Sequence, residues 1–114
     1  MAKYLIIKTT PTNVRTGGRF LVSADNILSI TTDTYVRIIY AGGIVVQINF
    51  ITPAIKTGDD GVATYFTQMV RSLQESSNAT LEIPNIIPNS FDNVGNPIKV
   101  QDITTCLFTT ACVP

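Results

Sequence analysis

Residues 35–50 decide the fold, and they read Tyr-Val-Arg-Ile-Ile-Tyr-Ala-Gly-Gly-Ile-Val-Val-Gln-Ile-Asn-Phe. Two runs of β-branched and aromatic residues, 35–41 and 44–50, flank a pair of glycines. Gly42 and Gly43 supply the positive φ angles that a tight hairpin requires. In the second run one face is wholly apolar and the other carries Gln47 and Asn49. The stretch therefore predicts a β-hairpin in a sheet with one covered face.

Two further strands are predicted before this hairpin. Residues 3–9 alternate in the manner of a first strand, and residues 20–31 form a second strand that bends at Asp25 and Asn26. Residues 10–18 lie between these strands and contain Pro11 and a pair of glycines, so they predict an exposed basic turn.

One amphipathic helix is predicted after the hairpin. Pro53 and Gly58 end the strand pattern, and Asp59 or Asp60 offers an N-cap, so the helix runs from about Asp60 to Ser77. Its apolar residues fall at helical spacing on one stripe. We expect this stripe to form a dimer interface through Val62, Phe66, Met69, Val70 and Leu73.

These elements predict an α+β fold in a single domain over residues 1–114. A four-stranded antiparallel sheet occupies residues 1–50, and one long helix follows at 59–78 and mediates dimerisation. Residues 79–114 form an irregular, loop-rich tail, since residues 81–97 contain three prolines and show little periodicity. The pattern allows a late strand over residues 98–108.

The net charge is zero but is unevenly distributed. Six basic and two acidic residues precede Thr57, whereas two basic and six acidic residues follow it. This distribution predicts a basic face on the sheet and an acidic one on the helix and tail. It is equally compatible with charge complementarity between subunits. Because charged residues make up only 14% of the chain, we expect a homo-oligomer, either a dimer or a tetramer.

The residue types argue against an enzyme. The chain has no histidine, which removes the commonest general base, nucleophile partner and metal ligand. Asp59 and Asp60 are explained better as a helix cap than as cation ligands. Cys106 and Cys112 lack the spacing of a redox or zinc motif and are expected to be reduced. We therefore predict no catalytic residue, no metal and no cofactor, although Lys, Tyr or Asp chemistry stays open.

Single-stranded nucleic acid can be held without histidines or metals, by basic side chains along its backbone and by aromatic rings under its bases. Strand tyrosines and nearby basic residues in the first half of the chain supply both. Tyrosines in strands also serve simply to fill a sheet. The predicted nucleic-acid-binding residues are Lys3, Tyr4, Lys8, Arg15, Arg19, Tyr35, Arg37 and Tyr40.

Four strands followed by a long helix, over about Lys3 to Asn78, resemble the β4-α unit of the Whirly and positive-cofactor single-strand-binding proteins. That resemblance implies dimerisation through the helix and binding of single-stranded DNA or RNA on the strands. The lysine-rich motif of the plant Whirly proteins is absent, so their binding residues are not transferred.

The low-charge composition, rich in Asn, Thr and Ile, also resembles small phage or marine viral proteins. The alternative function is accordingly a viral structural or assembly protein that makes protein-protein contacts. No apolar run approaches the ~20 residues of a membrane helix, and the N-terminal run is too short for a signal peptide. We therefore expect no membrane partner and a cytoplasmic location, in the host cell if the protein is viral.

Overall fold

The computed structural model describes residues 2–11, 16–32, 35–51, 61–91 and 95–107. These residues form eight strands and one helix, and strands account for 56% of them. In chain order the elements are β1 (Tyr4–Lys8), β2 (Arg19–Ser23), β3 (Ile27–Thr32), β4 (Val36–Tyr40), β5 (Ile44–Phe50), α1 (Gly61–Glu75), β6 (Thr80–Ile83), β7 (Ile86–Phe91) and β8 (Pro97–Leu107).

The larger sheet is built around the predicted hairpin. β4 and β5 pair antiparallel, and both connecting glycines adopt positive φ, at 90° for Gly42 and 88° for Gly43. This confirms the hairpin prediction. The sheet has five antiparallel strands in the order β3-β4-β5-β8-β7. β8 lies where the late strand was expected. Its residues 100–107 pair along the whole of β5, and its first residues pair with β7.

The smaller sheet has three strands in the order β2-β1-β6. β1 pairs antiparallel with β2 and parallel with β6. The register places Leu5 and Ile7 on the inner face, where both are fully buried. The alternate residues Tyr4, Ile6 and Lys8 point away from the core, because successive side chains of a strand lie on opposite faces.

The predicted second strand is in fact two strands in different sheets. The chain leaves β2 at Ser23 and enters β3 at Ile27, and between them Asn26 adopts a φ of 61°. The Asp25 carboxylate accepts a hydrogen bond from the backbone N–H of Lys3 at 3.0 Å, and the Asp25 N–H donates to the Ser23 hydroxyl at 3.1 Å. The predicted bend is thus a fixed turn that moves the chain from one sheet to the other.

The predicted fold class is wrong. The protein is mostly β, with two sheets, instead of a four-stranded sheet followed by a long helix. Residues 81–97, predicted to be a loop, contain β6 from Leu81 onward and all of β7. β7 includes Pro88, which an edge strand tolerates although proline normally indicates a loop. The helix has 15 residues, fewer than the predicted span of 59–78. The proposed caps Asp59 and Asp60 lie outside the described residues.

Both sheets and α1 share one hydrophobic core. The predicted apolar stripe of α1 is buried there, with Val62, Phe66, Val70 and Leu73 at most 7% exposed and Met69 packed against them. The prediction that the helix forms a dimer interface is therefore corrected, because the apolar stripe of α1 packs on the sheets of its own chain.

Candidate functional site

The predicted nucleic-acid-binding residues do not form one surface. Lys3 lies next to the C-terminal end of α1, where its ammonium group donates to the carbonyls of Leu73 at 2.8 Å and of Ser76. A cation at this position satisfies orphan carbonyls and the negative end of the helix dipole. Lys3 is therefore part of the fold, and sequence reasoning could not find this role because its partners lie about 70 residues away.

Tyr4, Lys8 and Arg19 lie on the outer face of the three-stranded sheet. Glu82 on β6 pairs with both cations, with 3.4 Å between the Lys8 ammonium and the carboxylate and a direct hydrogen bond from the Arg19 guanidinium. Glu82, from the acidic second half of the chain, thus compensates two cations of the basic first half. The positive charge of the predicted basic face is therefore lower than expected, because the Glu82 carboxylate pairs with both Lys8 and Arg19.

Tyr40 belongs to the core. Its side chain is 7% exposed, and its hydroxyl donates a hydrogen bond to the Ser23 carbonyl in β2. Burial raises the pKa of the Tyr40 hydroxyl well above its ordinary value. A ring held in this way cannot stack on a base. Arg15 lies outside the described residues.

Tyr35 and Arg37 do come together, on the outer face of the five-stranded sheet. The Arg37 guanidinium lies 4.4 Å from the centroid of the Tyr35 ring, a cation–π contact. Its Nε donates to the Gln47 side chain at 3.1 Å, and Gln47 in turn donates to Asn49 at 2.8 Å. The row ends on β8, where Asn49 donates to Asp102 at 2.7 Å and to Thr104 at 3.2 Å.

A different feature lies at the edge of this sheet, where β3 runs beside α1. Within the described residues β3 pairs with β4 alone. A β-bulge at Leu28 shifts the register, so that Ile27 and Ile30 both face the core although three positions separate them. The bulge leaves Leu28 70% exposed. Ser29 and Thr31 are exposed as well, and neither carries a charge.

Two adjoining cavities separate β3 from α1 and together form what we call the β3 groove. One has a volume of about 460 Å³ and the other about 230 Å³, and Ile30, Thr67 and Arg71 line both. The other lining residues are Thr31, Ala63, Thr64 and Gln68 in the larger cavity and Ile27, Leu28, Ser29, Val70 and Gln74 in the smaller. Because the β3 end near Thr31 faces the start of α1, strand and helix run antiparallel along the groove.

The walls of the β3 groove are anchored at one end by hydrogen bonds. The Gln74 side chain donates to the Ala24 carbonyl at 2.9 Å, and the Ala24 N–H donates to the Lys3 carbonyl at 2.9 Å. Lys3 also binds the end of α1, so the turn before β3 and the last turn of the helix are held together. The groove is therefore a preformed feature of the fold at this end.

Arg71 is the only charged residue among the described residues that line the groove. It is exposed, and no carboxylate of the described ranges pairs with it. Sequence reasoning missed this site because β3 was interpreted as the continuation of the second strand across a bend. The available signal was Ile-Leu-Ser-Ile-Thr-Thr itself, a strand sequence with neither charge nor proline.

Two further findings limit the chemistry. Within the described ranges no three Cys, Asp or Glu side chains are close enough to hold a metal ion, and no helix there has the length and apolar character to cross a membrane. Cys106 is disulfide-bonded, so the prediction of a reduced thiol is wrong for this residue. Cys112 lies outside the described residues.

The chain matches no protein-family model, and no curated protein or solved structure is significantly similar to it.

Proposed function

We propose that this protein is a non-enzymatic protein-interaction module that accepts an extended segment of another polypeptide along β3. One observation carries the proposal: the edge strand β3 lacks charge and proline and lies beside the β3 groove. An added strand would take its backbone hydrogen bonds from β3 and place alternate side chains in the groove. The proposal refines the alternative of a structural or assembly protein, because it names β3 and its groove as the surface that makes the protein-protein contact.

The other edge strands support this choice by contrast. Native proteins protect edges with charges, prolines or irregular pairing. β2 carries Arg19, β6 carries Glu82, and β7 carries Pro88. Only a bulge interrupts β3, and the bulge exposes a leucine instead of a charge.

The experiment is selection of displayed random peptides against the full chain, followed by titration of the enriched peptides. Leu28→Lys places a charge on the open edge and should weaken binding about tenfold or more, since edge lysines oppose strand addition. The matched control is Leu21→Lys, because Leu21 is 65% exposed on the outer face of the other sheet. Equal loss in both variants, or no enriched peptide, would refute the proposal.

Single-stranded nucleic-acid binding is the second candidate. It is favoured by the cation–π pair of Tyr35 and Arg37 on the sheet, which presents an aromatic ring and a cation together. The loss of Lys3 and Tyr40 to structural roles counts against it. Anisotropy titrations with labelled single-stranded and duplex DNA test it, and the Tyr35→Ala/Arg37→Ala double variant should abolish any salt-sensitive single-strand binding.

A cytoplasmic location also remains a proposal. The disulfide of Cys106 argues against it, because disulfides persist mainly in oxidising compartments. The mass of the purified protein after alkylation, with and without prior reduction, tests whether the thiols are oxidised in solution. Alkylation that occurs only after reduction would count against the cytoplasm, whereas full alkylation without reduction would favour it.

A further inference from the structure

We infer that the β3 groove selects an extended peptide with an acidic side chain that pairs with Arg71. The inference rests on the proposed function, since it names the partner of the same site. It starts from charge: the described lining residues of both cavities are uncharged apart from Arg71. A peptide that brings no carboxylate would cover this cation without compensating it, which is costly.

The position of Arg71 says where the acidic residue belongs. Arg71, Thr67 and Ile30 line both cavities, so they mark the junction between them. On one side of this junction the smaller cavity offers apolar surface from Ile27, Leu28 and Val70. On the other side the larger cavity is lined mainly by the polar side chains of Thr31, Thr64 and Gln68. The middle of the groove is thus cationic, the end at the smaller cavity accepts an apolar side chain, and the end at the larger cavity accepts a polar one.

Strand geometry converts this arrangement into a sequence pattern. Residues i and i+2 of an added strand point to the same side and lie about 6.6 Å apart. An acidic residue at the junction therefore has its same-side neighbours two positions before and two positions after it. The groove therefore fits peptides with Asp or Glu at the junction, an apolar residue two positions away on the side of the smaller cavity, and a polar residue two positions away on the other side. β-branched residues are favoured at the positions between them.

The guanidinium of Arg71 should hold a peptide carboxylate more firmly than an ion pair on an open surface would. The guanidinium presents a planar set of donors that binds a carboxylate in bidentate fashion, and partial burial in a groove strengthens this pair relative to one in bulk water. A tenfold loss on removing the charge, equivalent to about 1.4 kcal/mol, is the expected scale.

The test is display selection with random peptides of about eight residues, enough to pair along the six residues of β3. It is run on the full wild-type chain and on Arg71→Glu and Lys99→Glu. Wild type should enrich the acidic pattern, and Arg71→Glu should enrich peptides with Lys or Arg at the same position. Lys99→Glu changes a basic side chain outside the groove and should keep the wild-type preference. Titration of an enriched acidic peptide should then show at least a tenfold weaker affinity for Arg71→Glu.

The possible failures are distinguishable. Enriched peptides without an acidic position, bound equally by Arg71→Glu and still weakened by Leu28→Lys, would overturn the acidic preference and leave strand addition at β3 intact. No enrichment with wild type, or binding indifferent to Leu28→Lys, would overturn the proposed function itself. A concentration-dependent dimer that Leu28→Lys disrupts would identify the occupant as a second copy of the chain and overturn the acidic-peptide assignment.

Discussion

The two edges of the five-stranded sheet, β3 and β7, are built in opposite ways. β7 contains Pro88, places Asn89 at a φ of 57°, and pairs with β8 at Ile86 and again only at Phe91, with an irregularity between. β3 pairs with β4 at five positions, has one bulge, and contains no proline or charged residue. One edge is blunted against further pairing and the other is open to it.

The difference shows that the open edge is confined to β3, whereas the other described edge strands are protected against pairing. Both edges of the three-stranded sheet carry a charge, and Arg19 and Glu82 form an ion pair that crosses from β2 to β6 over β1. β3 alone among the described edge strands lacks a charge and a proline, and it borders a groove against α1. Single substitutions can distinguish the residues that build this open edge from those that protect the other edges.

Removing the support of the groove wall should have the largest effect. Phe66 lies on α1 and its side chain is fully buried in the core, so Phe66→Ala should leave a cavity and lower the free energy of unfolding by about 3–5 kcal/mol. The matched control is Phe91→Ala in β7, because Phe91 is 54% exposed. Chemical denaturation of both variants checks this, and similar losses would show that α1 is not packed as described.

The stability of β4, the strand that pairs with β3, should depend on Tyr40. Tyr40→Phe removes the hydroxyl that links β4 to the Ser23 carbonyl and should lower the free energy of unfolding by about 1–2 kcal/mol at neutral pH. Denaturation of wild type and variant measures this. Tyr4→Phe, which changes an exposed ring, is the control and should have little effect.

The same hydroxyl predicts the alkaline behaviour of the protein. Burial raises the folded-state pKa of Tyr40 above the unfolded value of about 10, so its contribution is complete below pH ~10 and is lost as the pH rises through the folded pKa. Wild type should therefore lose stability more steeply than Tyr40→Phe above pH ~10. Tyr65, whose pKa burial also raises, adds a component common to both proteins. Parallel curves would contradict this assignment.

Pro88 tests the blunted edge directly. Pro88→Val restores an N–H to β7 and favours regular strand pairing, so self-association should strengthen about fivefold, which is the scale of one net hydrogen bond at ~1 kcal/mol. Sedimentation equilibrium measures it. The control, Pro84→Val, changes a proline outside the strands. An unchanged association constant for Pro88→Val would mean that the proline does not guard this edge.

The charged edges should matter least for stability. Glu82→Gln removes the carboxylate that pairs with Lys8 and Arg19, yet all three side chains are about half exposed. The free energy of unfolding should change by no more than ~0.5 kcal/mol. Denaturation at low and high salt checks this, and a loss several times larger would mean that the pair holds the sheet together.

Local features of this fold were predictable from sequence, whereas long-range ones were not. The hairpin follows from two glycines between alternating runs, and the α1 stripe follows from helical spacing, so both predictions depend on neighbouring residues. Two other features depend on partners far along the chain. One is the passage of the chain from the smaller to the larger sheet at Asp25 and Asn26, and the other is the parallel pairing of β1 with β6. Pro88 further concealed β7 because proline normally indicates a loop.

The candidate site was less predictable than the fold. Composition identified strand tyrosines and cations, but it could not show that Lys3 caps a helix or that Tyr40 is buried. The open edge and its groove arise only when β3 is separated from β2 and placed beside α1. Arg71 was one solvated helix residue in the sequence and became a groove residue only in three dimensions.

The most direct test of strand addition is amide hydrogen exchange of the full chain, with and without a peptide enriched by selection. The account predicts slower exchange across Ile27–Thr32 on binding and no change across Ile86–Phe91, because new ladder hydrogen bonds form at the open edge alone. Protection that appears on the face of Tyr35 and Arg37, or at β7, with β3 unchanged, would contradict the account.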